Sequence, residues 1–254
     1  MNPLWIAAPA AVTTLAAATA FGAVNSSSQL FGPTICTTNA PGKLAITFDD
    51  GPNPLITPKL LDLLDRHQVK ATFFVVGKFV RECPGLLKEI QVRGHAIGNH
   101  TDTHPNLFFC GPEETRQELQ LCTEAIRNIT WENPRWFRPP FGYRSPWLGK
   151  IAHDLDMRIV MWSLLPGDWR SKPVEWLNQR LQPIAANAQH LKQKAQPATR
   201  SGGDILCLHD GDHRHLNGDR SRTLAALEFW LPRWRDLGLE FVTMNQAFGK
   251  VVEA

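Results

Sequence analysis

The stretch "AITFDDGP", residues 45–52, places two adjacent acids, Asp49 and Asp50, at the end of an apolar run and directly before a Gly-Pro turn. The apolar run predicts a buried strand that leaves the core at the two acids. Two carboxylates in contact repel each other, and their burial is costly unless a cation lies beside them. The stretch therefore predicts a strand that ends at a cation site.

Further apolar runs of strand length follow, separated by segments with helical periodicity. The predicted strands are residues 43–48, 71–76, 95–99, 135–139, 158–162, 204–209 and 239–244. Helices are predicted between them, for example over 57–67 with Thr57 as the N-cap, and over 112–128 with acids in the first turn. Seven such repeats in 254 residues favour an α/β fold, a single-domain irregular (β/α) barrel of about seven parallel strands, over an open sheet.

The composition supports a folded core and says little about partners. An apolar content of 43% supports a sizeable core, and the formal net charge of +3 is spread without blocks of like charge. The strands are not followed by the glycine-rich motifs that bind nucleotide phosphates. The charge argues neither for nor against a nucleic-acid partner with any force, and we expect none.

The first 42 residues differ from the rest of the chain. Residues 1–24 hold an apolar run long enough for a signal peptide or a marginal membrane anchor, and Ala18-Thr19-Ala20 fits a cleavage pattern. Against this, Pro9 interrupts the run and the segment lacks a basic start, so an N-terminal arm without a targeting role is the alternative. We expect an exported protein, located in the periplasm, in the cell envelope or outside the cell, with possible membrane anchoring through this segment and residues 25–42 as a linker.

The five cysteines do not have the spacing of a cysteine zinc site. Export would permit one or two disulfides, and the sequence leaves the pairing open among Cys36, Cys83, Cys110 and Cys122. Cys207 lies in the apolar run "DILCL" and is expected to be a buried core residue.

Polar groups follow five of the seven predicted strands. In (β/α) barrels the chemistry gathers at the carboxyl ends of the strands, so these groups are expected at one rim. They are Asp49 and Asp50, His100 and His104, Arg138, Asp168 with Trp169, and His209 with Asp210. The pair with i, i+4 spacing, His100 and His104, brings two imidazoles to one side of a turn. Two histidines and a carboxylate are a common zinc set, and a solvated turn is the alternative.

Taken in order, the stretches "TFDDGP", "HTDTH", "RPPFG", "GDW" and "LHD" resemble the five motifs of the polysaccharide deacetylases, the NodB-type domain of carbohydrate esterase family four. The resemblance covers residues 43–248 and implies a distorted NodB-type (β/α) barrel. It also implies a divalent-metal hydrolase that removes acetyl groups from N-acetylated, or sometimes O-acetylated, sugar polymers.

The resemblance assigns roles to individual residues. It makes Asp50, His100 and His104 the metal ligands and Asp49 the general base, a division that metal-assisted hydrolysis also requires. Arg138 is expected to keep Asp49 ionised and pointed inward, with a structural salt bridge at the surface as the alternative. Zinc is the expected single divalent metal, with cobalt and nickel as alternatives.

The resemblance also implies roles on the leaving-group side. His209 is the candidate general acid and Asp168 the group that orients it. The backbone N–H of Phe141, where the family more often has tyrosine, is implied as the oxyanion donor. Trp169 and Leu208 resemble the residues of the acetyl-methyl pocket, with core packing as the alternative reading.

Other positions are given a lesser role or depart from the family pattern. Asp210 is expected to cap a turn. Leu165 stands where the fourth motif often has an acid. His213 and His215 are expected in a solvated loop, with substrate contact as the second reading.

The sequence therefore predicts a metal-dependent polysaccharide deacetylase whose partner is an N-acetylated glycan, most simply peptidoglycan or chitin-type oligomers. The alternatives are a catalytically inactive glycan-binding barrel, an O-acetyl xylan esterase, or the two-histidine, one-carboxylate site of a non-haem iron oxygenase. The last would leave Asp49, Arg138 and His209 without roles. We expect a monomer.

Overall fold

The computed structural model describes residues 19–193 and 202–249. Most of the predicted export segment therefore lies outside the described residues, and its last part, residues 19–24, is helical. Within the described ranges, no helix has both the length and the apolar character needed to cross a membrane. The cysteines, all of which are described, are free thiols.

Parallel strands form the centre of the molecule, and eight of them lie in the described residues. The strands are β1 (Thr34–Ile35), β2 (Lys43–Gly51), β3 (Thr72–Val75), β4 (Ala96–Asn99), β5 (Trp136–Phe137), β6 (Arg158–Val160), β7 (Asp204–His209) and β8 (Glu240–Phe241). Their order is β1-β6-β5-β4-β3-β2-β7, and β8 also pairs with β2. All seven predicted strands are present, most of them shorter than predicted, and β1 is an addition that the sequence analysis missed.

Helices connect successive strands and cover the outside of the sheet. They are α1 (Thr57–Arg66), α2 (Gly77–Glu82), α3 (Pro84–Val92), α4 (Pro112–Thr130), α5 (Leu148–Asp154), α6 (Val174–Gln193), α7 (Ser221–Asp236) and α8 (Met244–Phe248). The prediction for α4 is confirmed, with Glu113 and Glu114 in its first turn. The N-cap prediction for Thr57 is wrong, because the N-cap is Ile56 and the Thr57 hydroxyl donates to Asp210 instead.

The sheet curves into an irregular barrel, which confirms the predicted fold class. Beyond β6, Ser163 donates a main-chain hydrogen bond to Ile205 of β7, and Cys207 of β7 donates to Leu164, so the two distant strands meet. Residues 25–42, which were predicted as a linker, are part of this architecture. They contain β1, which pairs with β6, and Arg144 holds the same segment by donating to the carbonyl of Ser28.

Two apolar layers hold the strands in place. One face of β2 and β7 packs against the helices through residues such as Ile46, Phe48 and Leu206. The opposite face, with Ala45 and Ile205, points into the barrel. Because all the strands are parallel, their carboxyl ends meet at one rim, and this rim carries the candidate site.

Candidate metal and catalytic site

A β-bulge explains how two adjacent acids reach the same site. In a regular strand, neighbouring side chains point to opposite faces. The pairing of β2 with β3 shifts between Asp49 and Gly51, and Asp50 adopts the left-handed backbone conformation with a φ of 71°. The extra residue re-aims the strand end. Asp49 and Asp50 consequently both face the rim, where each is at most 5% exposed.

Asp50 lies against both histidines of the third predicted strand end. Its Oδ1 atom is 3.4 Å from His100 Nε2 and 3.1 Å from His104 Nε2. Within the described residues this buried oxygen makes no hydrogen bond despite these distances. Ligands about 2.0–2.2 Å from one metal are themselves roughly 3.0–3.5 Å apart. The three side chains therefore fit a shared divalent cation.

The protonation states also suit a metal. Burial lowers the pKa of His104 to about 4, so its imidazole is neutral near pH 7. Burial acts to raise the pKa of Asp50, but the facing imidazoles, His100 first, outweigh it and hold this pKa well below its ordinary value. His100 Nδ1 lies 2.7 Å from the carbonyl oxygen of Arg138, to which it donates as Nε2 turns toward Asp50. Neutral imidazoles and an ionised carboxylate are the forms that bind divalent metals.

Arg138 holds Asp49 in a fixed position. The guanidinium is fully buried, and its Nη1 donates to Asp49 Oδ1 at 2.7 Å and to Thr47 Oγ1 at 2.6 Å. Nε and Nη2 donate to the main-chain carbonyls of Val160 and Met161. This buried, fully engaged arginine leaves Oδ2 of Asp49 as the oxygen that faces the rest of the site. The exposed structural salt bridge considered as the alternative is thus not what the structure contains.

On the other side of the site, Asp168 orients His209. His209 Nδ1 is 2.8 Å from Asp168 Oδ1, and the backbone N–H of His209 and the Thr223 hydroxyl both donate to Asp168 Oδ2. Burial lowers the pKa of His209, but the Asp168 charge and hydrogen bond outweigh burial and raise it to about 9. A bound cation would reduce this value, because it offsets the Asp49 and Asp50 charges that contribute to it. The geometry suits a general acid at Nε2.

Trp169 and Phe141 line the opening of the site. The Trp169 indole is 40% exposed and meets the His209 ring edge to face, with centroids 4.9 Å apart. Phe141 is 49% exposed, has a left-handed φ of 58°, and meets the His104 ring at 4.7 Å. Both aromatic rings are thus available to a ligand that enters from solvent.

Leu208 does not lie where the resemblance implied. It is 1% exposed and belongs to the apolar layer between sheet and helices, together with Phe48 and Leu206. Because side chains alternate along β7, Cys207 and His209 share the site-facing side and Leu208 takes the opposite one. Cys207 lies 3.3 Å from Asp49 Oδ2 through its Sγ atom. The pocket assignment of Leu208 is therefore wrong, and Cys207 is the neighbour that contacts the site.

The loop after β7 places a histidine, His213, beside the candidate metal ligands, which was not predicted. Both His213 and His215 were expected in a solvated loop. His213 instead stacks on His104, whereas His215 is exposed as expected. The donor atoms of Asp50, His104 and His213 all lie within 4.8 Å of one another. Asp210 accepts from the Thr57 hydroxyl of α1, and burial raises the pKa of Asp210 to about 7. The turn-capping role expected for Asp210 is thus replaced by a strand-to-helix contact.

The arrangement matches known proteins in sequence and structure. Residues 37–160 match the sequence family described as "Polysaccharide deacetylase". A peptidoglycan-N-acetylglucosamine deacetylase of Bacillus cereus is 36% identical over 80% of this chain and 86% of that protein. The chain belongs to the polysaccharide deacetylase family.

Two further members show the same relation. A chitooligosaccharide deacetylase of Azorhizobium caulinodans is 35% identical over 74% of this chain and 85% of that protein. The crystal structure of a peptidoglycan N-acetylglucosamine deacetylase, in complex with a naphthalenyl-N-oxidanyl-benzamide, superimposes with a TM-score of 0.71 at 30% identity. That match covers 85% of this chain and 92% of the solved chain, so the family relation extends over nearly the whole barrel.

Proposed function

We propose that the protein is a metal-dependent polysaccharide deacetylase that hydrolyses acetamide groups of N-acetylated cell-wall sugars. One observation carries the proposal: the pairs Asp49–Arg138 and Asp168–His209 lie at the same barrel rim as the Asp50–His100–His104 cluster. The first pair supplies a fixed base and the second a charged acid. Hydrolysis of an amide needs both, because water must lose a proton and the leaving amine must gain one.

The metal ligands in this proposal are Asp50, His100 and His104. When bound there, a divalent cation supplies Lewis-acid activation of a water molecule and of the acetyl carbonyl. The ligand set serves zinc, cobalt and nickel alike, and we favour zinc.

The remaining site residues position and move protons. Asp49, held by Arg138 through Oδ1, accepts a proton from the attacking water at Oδ2. His209 donates a proton from Nε2 to the departing amine, while Asp168 fixes the ring and stabilises its charge. Trp169 packs against the acetyl methyl group, and the backbone N–H of Phe141 donates to the developing oxyanion.

The proposed substrate is peptidoglycan, with chitin-type oligomers as the second choice. Relatives named for each polymer match this chain at nearly the same identity, so the comparison alone does not separate the two. The predicted export of the protein favours peptidoglycan, because an envelope enzyme meets that polymer directly. The proposal includes export of a monomeric protein whose residues 1–24 are a signal peptide or a membrane anchor. Its catalytic domain covers residues 43–248 together with the preceding segment that contains β1.

Acetate release tests the proposal. Chelator-stripped protein is incubated with purified peptidoglycan, chitooligomers or acetylated xylan, before and after addition of zinc or cobalt. We expect release from an N-acetylated polymer that depends on added metal, and none with Asp49→Asn. Release from xylan alone would replace the proposal with an O-acetyl esterase. If metal binds and none of the three polymers is cleaved, the proposal fails, and a glycan-binding barrel or a smaller amide substrate takes its place.

A further inference from the structure

The loop between β7 and α7 places His213 against two of the candidate metal ligands. Its ring stacks on His104, with centroids 4.2 Å apart and planes inclined by 17°. Its Nδ1 atom lies 3.6 Å from Asp50 Oδ2, within ion-pair range but longer than a hydrogen bond. Oδ2 is the carboxylate oxygen turned away from the His100 and His104 contacts. His213 therefore contacts the ligand cluster from its outer side.

The two histidine ligands are held in different ways. A metal-binding histidine usually donates its second N–H to an acceptor that fixes the ring. His100 follows this rule, because its Nδ1 faces the carbonyl oxygen of Arg138 at 2.7 Å. His104 does not, because its Nδ1 is buried without a hydrogen-bond partner among the described residues. Among the described residues, the Nδ1 side of the His104 ring is therefore held by packing and not by a hydrogen bond.

Aromatic packing is the structural feature that replaces this bond. The face of His104 lies on His213, and its ring also meets Phe141 at an interplanar angle of 75°. Phe141 in turn contacts His213, with centroids 5.3 Å apart and an angle of 85°. The three rings thus form one packed group in which each touches the other two. Such a group restricts rotation of His104 without any polar contact.

The loop that carries His213 is anchored at several points. Lys78 Nζ donates to the main-chain carbonyl of His213 at 2.7 Å, and Asn53 Nδ2 donates to that of Gly218 at 2.8 Å. Gly211 lies directly on the backbone of Asp50, where a Cβ atom would collide with the carbonyl oxygen. His213 is therefore held at the cluster by contacts on both sides of it in the loop.

Direct metal binding by His213 fits these contacts less well. Nδ1 of His213 lies 3.6 Å from Asp50 Oδ2, whereas Nε2 of His100 and Nε2 of His104 both approach the other oxygen, Oδ1, at 3.4 and 3.1 Å. The nitrogen of His213 is therefore outside the group of atoms that fits a shared cation. The contacts favour a neighbour that holds ligands over a fourth ligand.

We propose that His213 is a positioning residue that fixes the ring of His104 by stacking, in place of the hydrogen bond that His104 lacks. The inference rests on the proposed function, since it takes His104 as a metal ligand. Loss of groups that orient metal ligands typically weakens metal binding by about 10–100-fold. A loss of this size is expected when the stacking ring is removed, and an aromatic replacement should recover most of it.

The test is a metal titration of chelator-stripped wild-type protein, His213→Ala, His213→Phe and the control His215→Ala. Zinc affinity is measured by competition with a chromophoric chelator, and the visible absorption of the cobalt-loaded protein reports the ligand set. His215 is exposed on the same loop, so its variant controls for loop changes. Circular dichroism of each metal-free variant shows whether it is folded.

The expected results are an affinity about 10–100-fold weaker for His213→Ala, near-wild-type affinity for His213→Phe and for His215→Ala, and one cobalt spectrum throughout. Unchanged affinity in His213→Ala would overturn the proposal. So would a changed cobalt spectrum at saturating metal, which would make His213 a ligand, or a phenylalanine variant as weak as the alanine variant. If the wild-type protein binds no metal, the proposed function itself fails, and this inference fails with it.

Discussion

The pair formed by Asp168 and His209 allows a quantitative test of the proposed general acid through the substitution Asp168→Asn. The asparagine can keep one carbonyl oxygen for the His209 backbone N–H and the Thr223 hydroxyl, which both bond to Asp168 Oδ2. Its amide then replaces the charged Oδ1 that lies 2.8 Å from His209 Nδ1. The substitution therefore removes the charge with little change in shape.

The size of the effect follows from the pKa of His209. Burial lowers this pKa, and Asp168 is the main group that raises it to about 9. Without the Asp168 charge, burial brings the pKa to roughly 6.5 or below. In the metal-free protein at pH 8, the imidazole is then about 3% protonated, compared with about 90% when Asp168 is present, so the acid form falls roughly 30-fold. A bound cation lowers the pKa of His209 in the wild-type protein, because it offsets the Asp49 and Asp50 charges. The contribution of Asp168 to this pKa remains, so the difference between wild type and variant persists.

The assay compares two leaving groups over pH 6–10. Acetate release from a chitooligosaccharide requires protonation of an amine, whereas hydrolysis of 4-nitrophenyl acetate releases a phenolate that needs no proton. We expect kcat/KM of Asp168→Asn for the amide to fall at least about 30-fold at pH 8, and its alkaline limb to move to lower pH. The ester rate should change much less. Asp154→Asn, which alters a surface ion pair with Lys150, serves as the control.

Two results would refute this reasoning. One is an alkaline limb of the amide reaction that stays where the wild-type protein has it, because His209 would then not be the titrating acid. The other is an equal loss on the amide and on the activated ester, which would point to general damage of the site. Metal content measured for each variant separates the second case from simple loss of the cation.

Further expectations concern stability and the other site residues. Because the pKa of His209 is raised to about 9 in the fold, its protonation adds about 3 kcal/mol to the unfolding free energy of the metal-free protein below pH 6.5. This contribution is lost as the pH rises through about 9. Urea unfolding at pH 6 and pH 10 measures it, with Asp168→Asn as the variant that should lack it. Asp49→Asn should keep one metal per chain and lose turnover, whereas His104→Ala should lose the metal. Elemental analysis measures the metal content of both variants, and equal content would contradict the ligand assignment. Leu208→Ala should cost about 2–5 kcal/mol of unfolding free energy and leave KM for the glycan nearly unchanged.

The strand-end rule accounts for most of what the sequence could predict. Asp50 lies at the end of β2, and His100 and Arg138 directly follow β4 and β5. The structure brings these three residues, far apart in the chain, into contact because the parallel strands share one rim. Apolar runs in the sequence are enough to predict where such strands end. Since parallel strands run in the same direction, the polar residues at their carboxyl ends meet at one rim. The strand β1 escaped prediction because two residues carry no periodic pattern.

The sequence contained a signal against the Leu208 assignment. His209 faces the site, so the residue directly before it must point to the other side of β7 and the residue two positions earlier to the same side. Strand alternation thus indicates Cys207, and the family resemblance alone indicated Leu208. At Asp50, strand alternation gives the wrong answer. It predicts that Asp49 and Asp50 point to opposite faces of β2, whereas the bulge turns both side chains toward the rim.

His213 could not have been placed from the sequence. Its loop has no apolar periodicity, and its position depends on long-range contacts such as the bond from Lys78 to its carbonyl oxygen. Two histidines separated by one residue, His213 and His215, have the same local chemistry but very different exposure. Which of them turns inward is decided by the anchors of the loop and not by the motif.

The charges at the rim explain why two adjacent acids have different roles. Asp49 is paired with Arg138, and Asp168 with the protonated form of His209, so each of these carboxylates has a cationic partner within the protein. Asp50 faces imidazoles, and that of His104 is neutral above a pH of about 4. The Oδ1 atom of Asp50 is buried. A buried carboxylate without a charged partner is costly. The acid that the protein leaves without a fixed cation is therefore the one suited to bind a divalent metal, and the acid that Arg138 already holds is free to accept a proton.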